Sequence, residues 1–192
     1  MKLIIARHGE TEENAKGICQ GQSIGTLSRK GIEQAKKLAL RLKDEKIDKI
    51  YVSDLKRAKD TAQEIIKHHP KAEITYTPEL REKNWGTYEG KRREEMNEAD
   101  FKNDNYRPEK GETRTEARQR AAKFADKLIK EHNKTILLVT HVGTIMHLML
   151  HLLKKDWAEH EQYMHHNCGL TILEINEKER KIVTLNCRKH LD

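Results

Sequence analysis

Apolar residues in this chain gather into a few short runs rich in β-branched side chains, and between those runs they recur at helical spacing. Residues 3–6, 50–53 and 135–140 are such runs, each followed by polar, charged or glycine punctuation, and they read as buried strands. After a candidate N-cap at Ser28, Ile32, Ala35, Leu38, Ala39 and Leu42 mark one face of a helix. Ala58, Ala62, Ile65 and Ile66 mark a second. A third begins near Thr113, where Glu116 completes a capping-box pattern and Ala117, Ala121, Phe124, Leu128 and Ile129 supply the stripe. A fourth runs over about 144–153. Residues 170–175 and 182–185 flank a polar stretch and read as a hairpin or strand–loop–strand element. Strands alternating with helices predict an α/β protein, a three-layer α/β/α sandwich around a mainly parallel sheet.

The length of 192 residues suits one domain over 1–192. The stretch at about 78–112 departs from the pattern, with Gly86, Gly90, Pro108 and Gly111 among many charges and little apolar periodicity. An irregular excursion of that length reads as a lid-like insertion or a substrate-selecting wall.

Composition narrows the classes. Charged residues make up 36% of the chain and apolar residues 35%, so the surface is densely charged around one core. The net charge of +7 attracts anions of any kind without choosing among them. Basic clusters such as Lys91-Arg92-Arg93 lack interleaved aromatics, which places a solvated charged face ahead of nucleic-acid binding. Cys19, Cys168 and Cys187 form neither a C-x-x-C pair nor an even set, so a cytoplasmic setting is expected over a disulfide framework. The apolar start at residues 3–6 is too short for a signal segment, and no run is long enough to span a membrane.

Candidate chemistry lies just beyond the strand ends, where open parallel sheets bind ligands. The first strand runs into Arg7-His8-Gly9, the second leads through Ser53-Asp54-Leu55-Lys56 to Arg57, and the third runs into Thr140-His141. Guanidinium forks hold phosphoryl oxygens bidentately without losing their own charge, which suits Arg7 and Arg57. A nucleophilic imidazole must be neutral at the attacking nitrogen, and nearby cations favour that form, which suits His8.

With these residues in view, the chain resembles the histidine phosphatase superfamily, also called phosphoglycerate mutase-like, whose hallmark stands here as Arg7-His8-Gly9. The likeness continues through Glu10-Thr11-Glu12-Glu13-Asn14, Leu27-Ser28-Arg29-Lys30-Gly31, Ser53-Asp54-Leu55-Lys56-Arg57 and Leu80-Arg81-Glu82. It extends to Trp85-Gly86-Thr87-Tyr88-Glu89-Gly90, Gly111-Glu112-Thr113, Thr140-His141 and His190-Leu191. The chain departs from it in Ile24-Gly25-Thr26-Leu27 of the first loop, in Val142 after His141 and in Met146.

The resemblance implies a phosphoglycerate mutase-like fold and a phosphohistidine formed on His8. It also implies a phosphate pocket of Arg7, Asn14, Arg57 and His141, with Glu82 as the acid that later becomes a base. The short chain resembles the phosphatases, which implies hydrolysis of a small phosphorylated metabolite; a cofactor-dependent phosphoglycerate mutase is the alternative within the family. A non-catalytic binder of phosphate-bearing ligands or nucleic acid is the alternative of another class, and the intact His8 and Glu82 count against it. No cofactor and no metal are expected, because fixed cations supply the charge stabilisation. His147 and His151, at i and i+4, lack the glutamate of a metal motif and read as packing residues. His68-His69 and His165-His166 read as surface or pocket-rim residues. The oligomeric state stays open, a homodimer included.

Overall fold

The structure, a computed structural model, describes residues 1–192 apart from the side chains of Phe101 and Lys102. In chain order the elements are β1 (Lys2–Arg7), α1 (Glu12–Ala15), α2 (Arg29–Leu42), β2 (Lys49–Ser53), α3 (Lys56–Ile66) and β3 (Glu73–Thr77). They continue with α4 (Glu98–Lys102), α5 (Arg114–Leu128), β4 (Thr135–Thr140), α6 (Val142–Leu153), β5 (Leu170–Ile175) and β6 (Arg180–Cys187). The strands form one sheet in the order β3-β2-β4-β1-β5-β6. The β3/β2, β2/β4 and β4/β1 pairs are parallel, and the β5–β6 hairpin completes the sheet antiparallel to β1.

Strand alternation builds the three layers. Leu3 and Ile5 of β1, with Ile136 and Leu138 of β4, face α5 and α6 and pack with Phe124, Leu128 and Leu148. Their neighbours Ile4, Ala6, Leu137 and Val139 face the other way and pack with Leu38 and Leu42 of α2 and Ile65 of α3. Strands buried on both faces are what continuous apolar runs of this kind produce. The helix starts follow their capping signals: Ser28 accepts from the Gly31 N–H, and Thr113 and Glu116 cap each other reciprocally at α5. Among the described residues no helix is long and apolar enough to cross a membrane.

Four details differ from the sequence-based expectations. Strand β3 was not anticipated, because as an edge strand it buries only Thr77 and leaves Ile74 and Tyr76 exposed, so its apolar signal is weak. Ile32 lies at the solvent edge of the α2 stripe and is exposed. Helix α6 begins at Val142, with His141 itself as the N-cap residue. In each adjacent histidine pair one residue is buried: His69, three residues past α3, and His165, whose ring bonds to the Tyr163 carbonyl and the Thr171 hydroxyl.

The chain from Pro78 to Glu112 has little regular structure. It contains short 3-10 turns at Pro78–Leu80, Gly86–Tyr88 and Arg93–Glu95, and the five-residue α4.

Candidate active site

Parallel pairing of β1 with β4 sets Arg7 opposite Thr140, so the next residue of each strand, His8 and His141, emerges side by side. The His8 N–H donates to the Thr140 carbonyl at 3.0 Å, and the two imidazole centroids are 5.1 Å apart. Strand β2 lies on the other side of β4 and delivers Ser53, whose hydroxyl is 2.8 Å from His141 Nε2. Two residues beyond the Ser53–Leu55 turn, the first turn of α3 carries Arg57. The N-termini of α3 and α6 thus open on the same rim, where a helix end favours anions.

A close backbone approach makes this rim possible. A Cβ placed on Gly9 would lie 2.6 Å from the Gly31 carbonyl oxygen, so the chain after His8 passes against α2 where only glycine fits. The Gly9 N–H is taken by the Thr61 hydroxyl at 2.9 Å.

His8 is 3% exposed, and its Nδ1 lies 2.8 Å from the Gly9 carbonyl oxygen. A carbonyl only accepts, so Nδ1 carries the proton and Nε2 keeps the lone pair. Burial, followed by the charges of Arg57 and Arg7, holds His8 well below the ordinary imidazole value, so the ring is neutral. His141, 1% exposed, is lowered in the same direction by burial, then by Arg57 and His8.

Both arginines are fixed, Arg57 fully buried and Arg7 half-buried. Arg57 is 1% exposed, donating to the Gly21 carbonyl at 2.6 Å and to the Ser23 carbonyl at 3.1 Å. Burial lowers it to about 10, opposed by Glu82. Arg7 donates from Nη1 to the His165 carbonyl at 2.7 Å, and burial lowers it as well, again opposed by Glu82. Arg7 Nε, Arg57 Nε and His141 Nδ1 are buried with no hydrogen-bond partner among the described residues. Orphaned polar groups of this kind are costly unless a partner engages them, and for the two arginine N–H groups phosphoryl oxygens are strong acceptors.

Glu82 arrives from the segment after β3. Its Oε1 accepts from the Lys83 N–H and its Oε2 from the Gly143 N–H, both at 2.9 Å, so the carboxylate rests on the first turn of α6. The surrounding backbone is tied down by Arg120 to the Arg81 carbonyl, by Thr144 to the same carbonyl and by Thr140 to the Leu80 carbonyl, each at 2.7 Å. A Cβ on Gly143 would stand 2.3 Å from Glu82 Oε1. We expect Gly143→Ala to displace the carboxylate and lower kcat about 10–100-fold, most for substrates with poor leaving groups. An unchanged rate for an alkyl phosphate would remove the need for this contact.

Asn14 Oδ1 accepts from the Thr11 N–H and from Asn167 Nδ2, and the same Asn167 amide donates to the His8 carbonyl at 3.1 Å. Of the six residues expected from the sequence, His8 and His141 are in ring contact, Asn14 reaches the His8 carbonyl through Asn167, Arg57 and Arg7 bear on His8 through their charge, and Glu82 is held against Gly143 of α6. Thr61, Asn167 and Gly143 were not expected there, and His165, expected at the surface or a pocket rim, is buried. Thr61 sits within the motif of α3, whereas Asn167 and His165 carry no sequence signal for contact with residues about 160 positions away.

A cavity of about 840 Å³ adjoins the rim, lined by Glu82 and Gly143 together with Lys83, Trp85, His147 and Trp157 among others. A larger open depression of about 960 Å³ lies between α2 and β6, and neither cavity is lined by Arg7, His8, Arg57 or His141. His147 is buried beside Trp157, while His151 turns to Asp126 of α5, so the i, i+4 pair does not converge. Among the described residues no group of three or more His, Cys, Asp or Glu side chains is arranged to hold a metal.

Comparison with known proteins agrees with this geometry. A family model described as the histidine phosphatase superfamily (branch 1) matches residues 3–188. Phosphoserine phosphatase 1 of Hydrogenobacter thermophilus is 32% identical, over 100% of this chain and 94% of its own. A metal-independent phosphoserine phosphatase of Arabidopsis thaliana is 34% identical, over 82% of this chain and 71% of its own. The crystal structure of the alpha-ribazole phosphatase from Shigella flexneri superposes with a TM-score of 0.89 at 28% identity, covering 97% of this chain and 96% of that one.

Proposed function

The chain belongs to the histidine phosphatase superfamily, branch 1, and from that premise we propose how its residues divide the work of a phosphatase. The enzyme hydrolyses small phosphomonoesters through a phosphohistidine. His8 Nε2 attacks phosphorus as the bond to the leaving alcohol breaks, and Nδ1–H stays on the Gly9 carbonyl and fixes the ring. Arg7, Arg57 and His141 hold the phosphoryl oxygens, and Asn14, tied through Asn167 to the His8 carbonyl, helps to bind the phosphate. Glu82 gives its proton to the departing oxygen. A water molecule then attacks the phosphohistidine, Glu82 takes the proton from it, and phosphate leaves with His8 restored.

The observation that carries this assignment is the buried imidazole of His8, held neutral by burial first and then by two arginines that are themselves anchored to backbone carbonyls. Two fixed guanidinium groups compensate the phosphoryl charge, so the scheme needs no metal ion. The segment at about 78–112 supplies Glu82 and part of the adjoining cavity wall, and we assign it the role of lid within a single catalytic domain.

Release of inorganic phosphate from p-nitrophenyl phosphate in the presence of a chelator tests the reading. Turnover is expected between about pH 5 and 8; a well-folded protein with none in that range would refute it. Rapid isomerisation of 3-phosphoglycerate with little free phosphate would assign a mutase instead. For Glu82→Gln we expect kcat on an alkyl phosphate to fall about 10²–10³-fold and on p-nitrophenyl phosphate by much less, since nitrophenolate leaves without a proton. Equal losses on both substrates would contradict the acid role of Glu82.

A further inference from the structure

Antiparallel pairing of β5 with β1 sets Leu170 opposite Ala6, so the residues just before β5 cross the end of β1 where it delivers Arg7 and His8. The backbone turns there through Cys168, whose φ of 53° is left-handed. A residue other than glycine holds that conformation only where its surroundings fix it. The turn aims the Cys168 N–H at two carbonyls at once, that of Arg7 at 3.1 Å and that of His8 at 3.3 Å. Its neighbour Asn167 adds the side-chain contact: Nδ2 donates to the His8 carbonyl at 3.1 Å and to Asn14 Oδ1 at 3.2 Å.

Backbone groups decide which way both amides point. Asn14 closes the capping box of α1, and the Thr11 N–H, 3.3 Å away, can only donate, so it takes Oδ1 of Asn14. The His8 carbonyl can only accept, so it takes Nδ2 of Asn167. Asn14 Oδ1 therefore receives two donors, and its Nδ2 is left with no acceptor among the described residues. An amide held in this sense offers a phosphoryl group a donor. Turned over, it would offer an oxygen, which repels an anion.

We propose that Asn167 is a positioning residue of the phosphate pocket: it aims the amide of Asn14 so that a donor faces the phosphoryl group, and it ties that amide to the peptide that carries the nucleophile. The inference rests on the phosphatase reading and adds to it a residue that acts through Asn14. Without Asn167, only the long Thr11 contact distinguishes the two orientations of the Asn14 amide. His8 keeps its place, because its carbonyl still accepts from the Cys168 N–H and its ring still donates to the Gly9 carbonyl. Loss of Asn167 therefore weakens phosphate binding more than it slows the chemical step.

The test measures the Kd of inorganic phosphate by titration calorimetry and, separately, kcat on p-nitrophenyl phosphate, for Asn14→Ala, Asn167→Ala and the double variant. Asn14→Ala is expected to raise Kd about tenfold and Asn167→Ala about fivefold, while kcat of Asn167→Ala falls less than about threefold. In the Asn14→Ala background, Asn167→Ala should change Kd by less than about twofold, because the amide it aims is gone. A residue that only supported the fold would lower the melting temperature and give the same Kd factor in both backgrounds. That result, or a wild-type Kd for Asn167→Ala, would overturn the proposal. Asn14→Asp leaves Asn167 in place, keeps the oxygen that Thr11 and Asn167 engage and removes the outward donor; a wild-type Kd for it would overturn the proposal even where Asn167→Ala fails to fold. A wild-type protein that shows these Kd factors yet releases no phosphate from p-nitrophenyl phosphate would overturn the phosphatase reading and leave the positioning role standing.

Discussion

Replacing His8 with alanine is expected to lower kcat at least about 10⁴-fold, because no other group can carry the phosphoryl intermediate and the residues that act with it are useless alone. The fold should survive. The side chain makes one hydrogen bond, to the adjacent Gly9 carbonyl, and its loss with the small void left behind costs about 1–3 kcal/mol. The far-UV circular dichroism should therefore match that of the wild type while phosphate release disappears. The low proton affinity of His8 adds a signature in pH. A base whose value is lowered stays neutral as the medium passes down through 6.5, so kcat/KM of the wild-type protein should show no inflection there from His8. The same sign governs stability: the unfolded chain binds a proton on this ring below about 6.5 and the folded chain does not, so acid pH favours unfolding across that window.

The second large effect concerns Arg57. Arg57→Lys keeps the charge but loses the planar fork that is anchored on the Gly21 and Ser23 carbonyls. We expect kcat/KM to fall about 10²–10³-fold, with kcat carrying most of the loss, because the developing charge on the phosphoryl oxygens is held by position as much as by charge. The first loop should loosen as well, since Gly21 and Ser23 lose their anchor; faster proteolysis within residues 17–27 would report it. A lysine variant with wild-type kcat/KM would mean that bulk positive potential, and no oriented fork, suffices.

These effects follow from a site that the chain announces in part. The runs at the ends of β1, β2 and β4 are legible because strands buried on both faces need continuous apolar residues, and the polar residues that end them stand out. That is why Arg7, His8, Arg57 and His141 could be named before any coordinates. Their convergence needed one more fact, the parallel pairing of β4 with both β1 and β2, which no local pattern states. Strand β3 escaped notice because its edge position lets polar and exposed residues dominate. The supporting contacts were the least legible. Asn167 reaches the His8 carbonyl and Asn14, and His165 offers its carbonyl to Arg7, through a loop whose composition resembles any polar turn. The burial of His69 and His165 escaped for a related reason: adjacent histidines look solvated until tertiary packing covers one of them.

The most direct test is to quench the enzyme in alkali during steady turnover and locate covalent phosphate by peptide mass spectrometry. Phosphate should appear on the peptide that contains His8, attached to the imidazole, and should be absent from His8→Ala. Turnover with no phosphorylated peptide, or with phosphate on a different residue, would contradict the account.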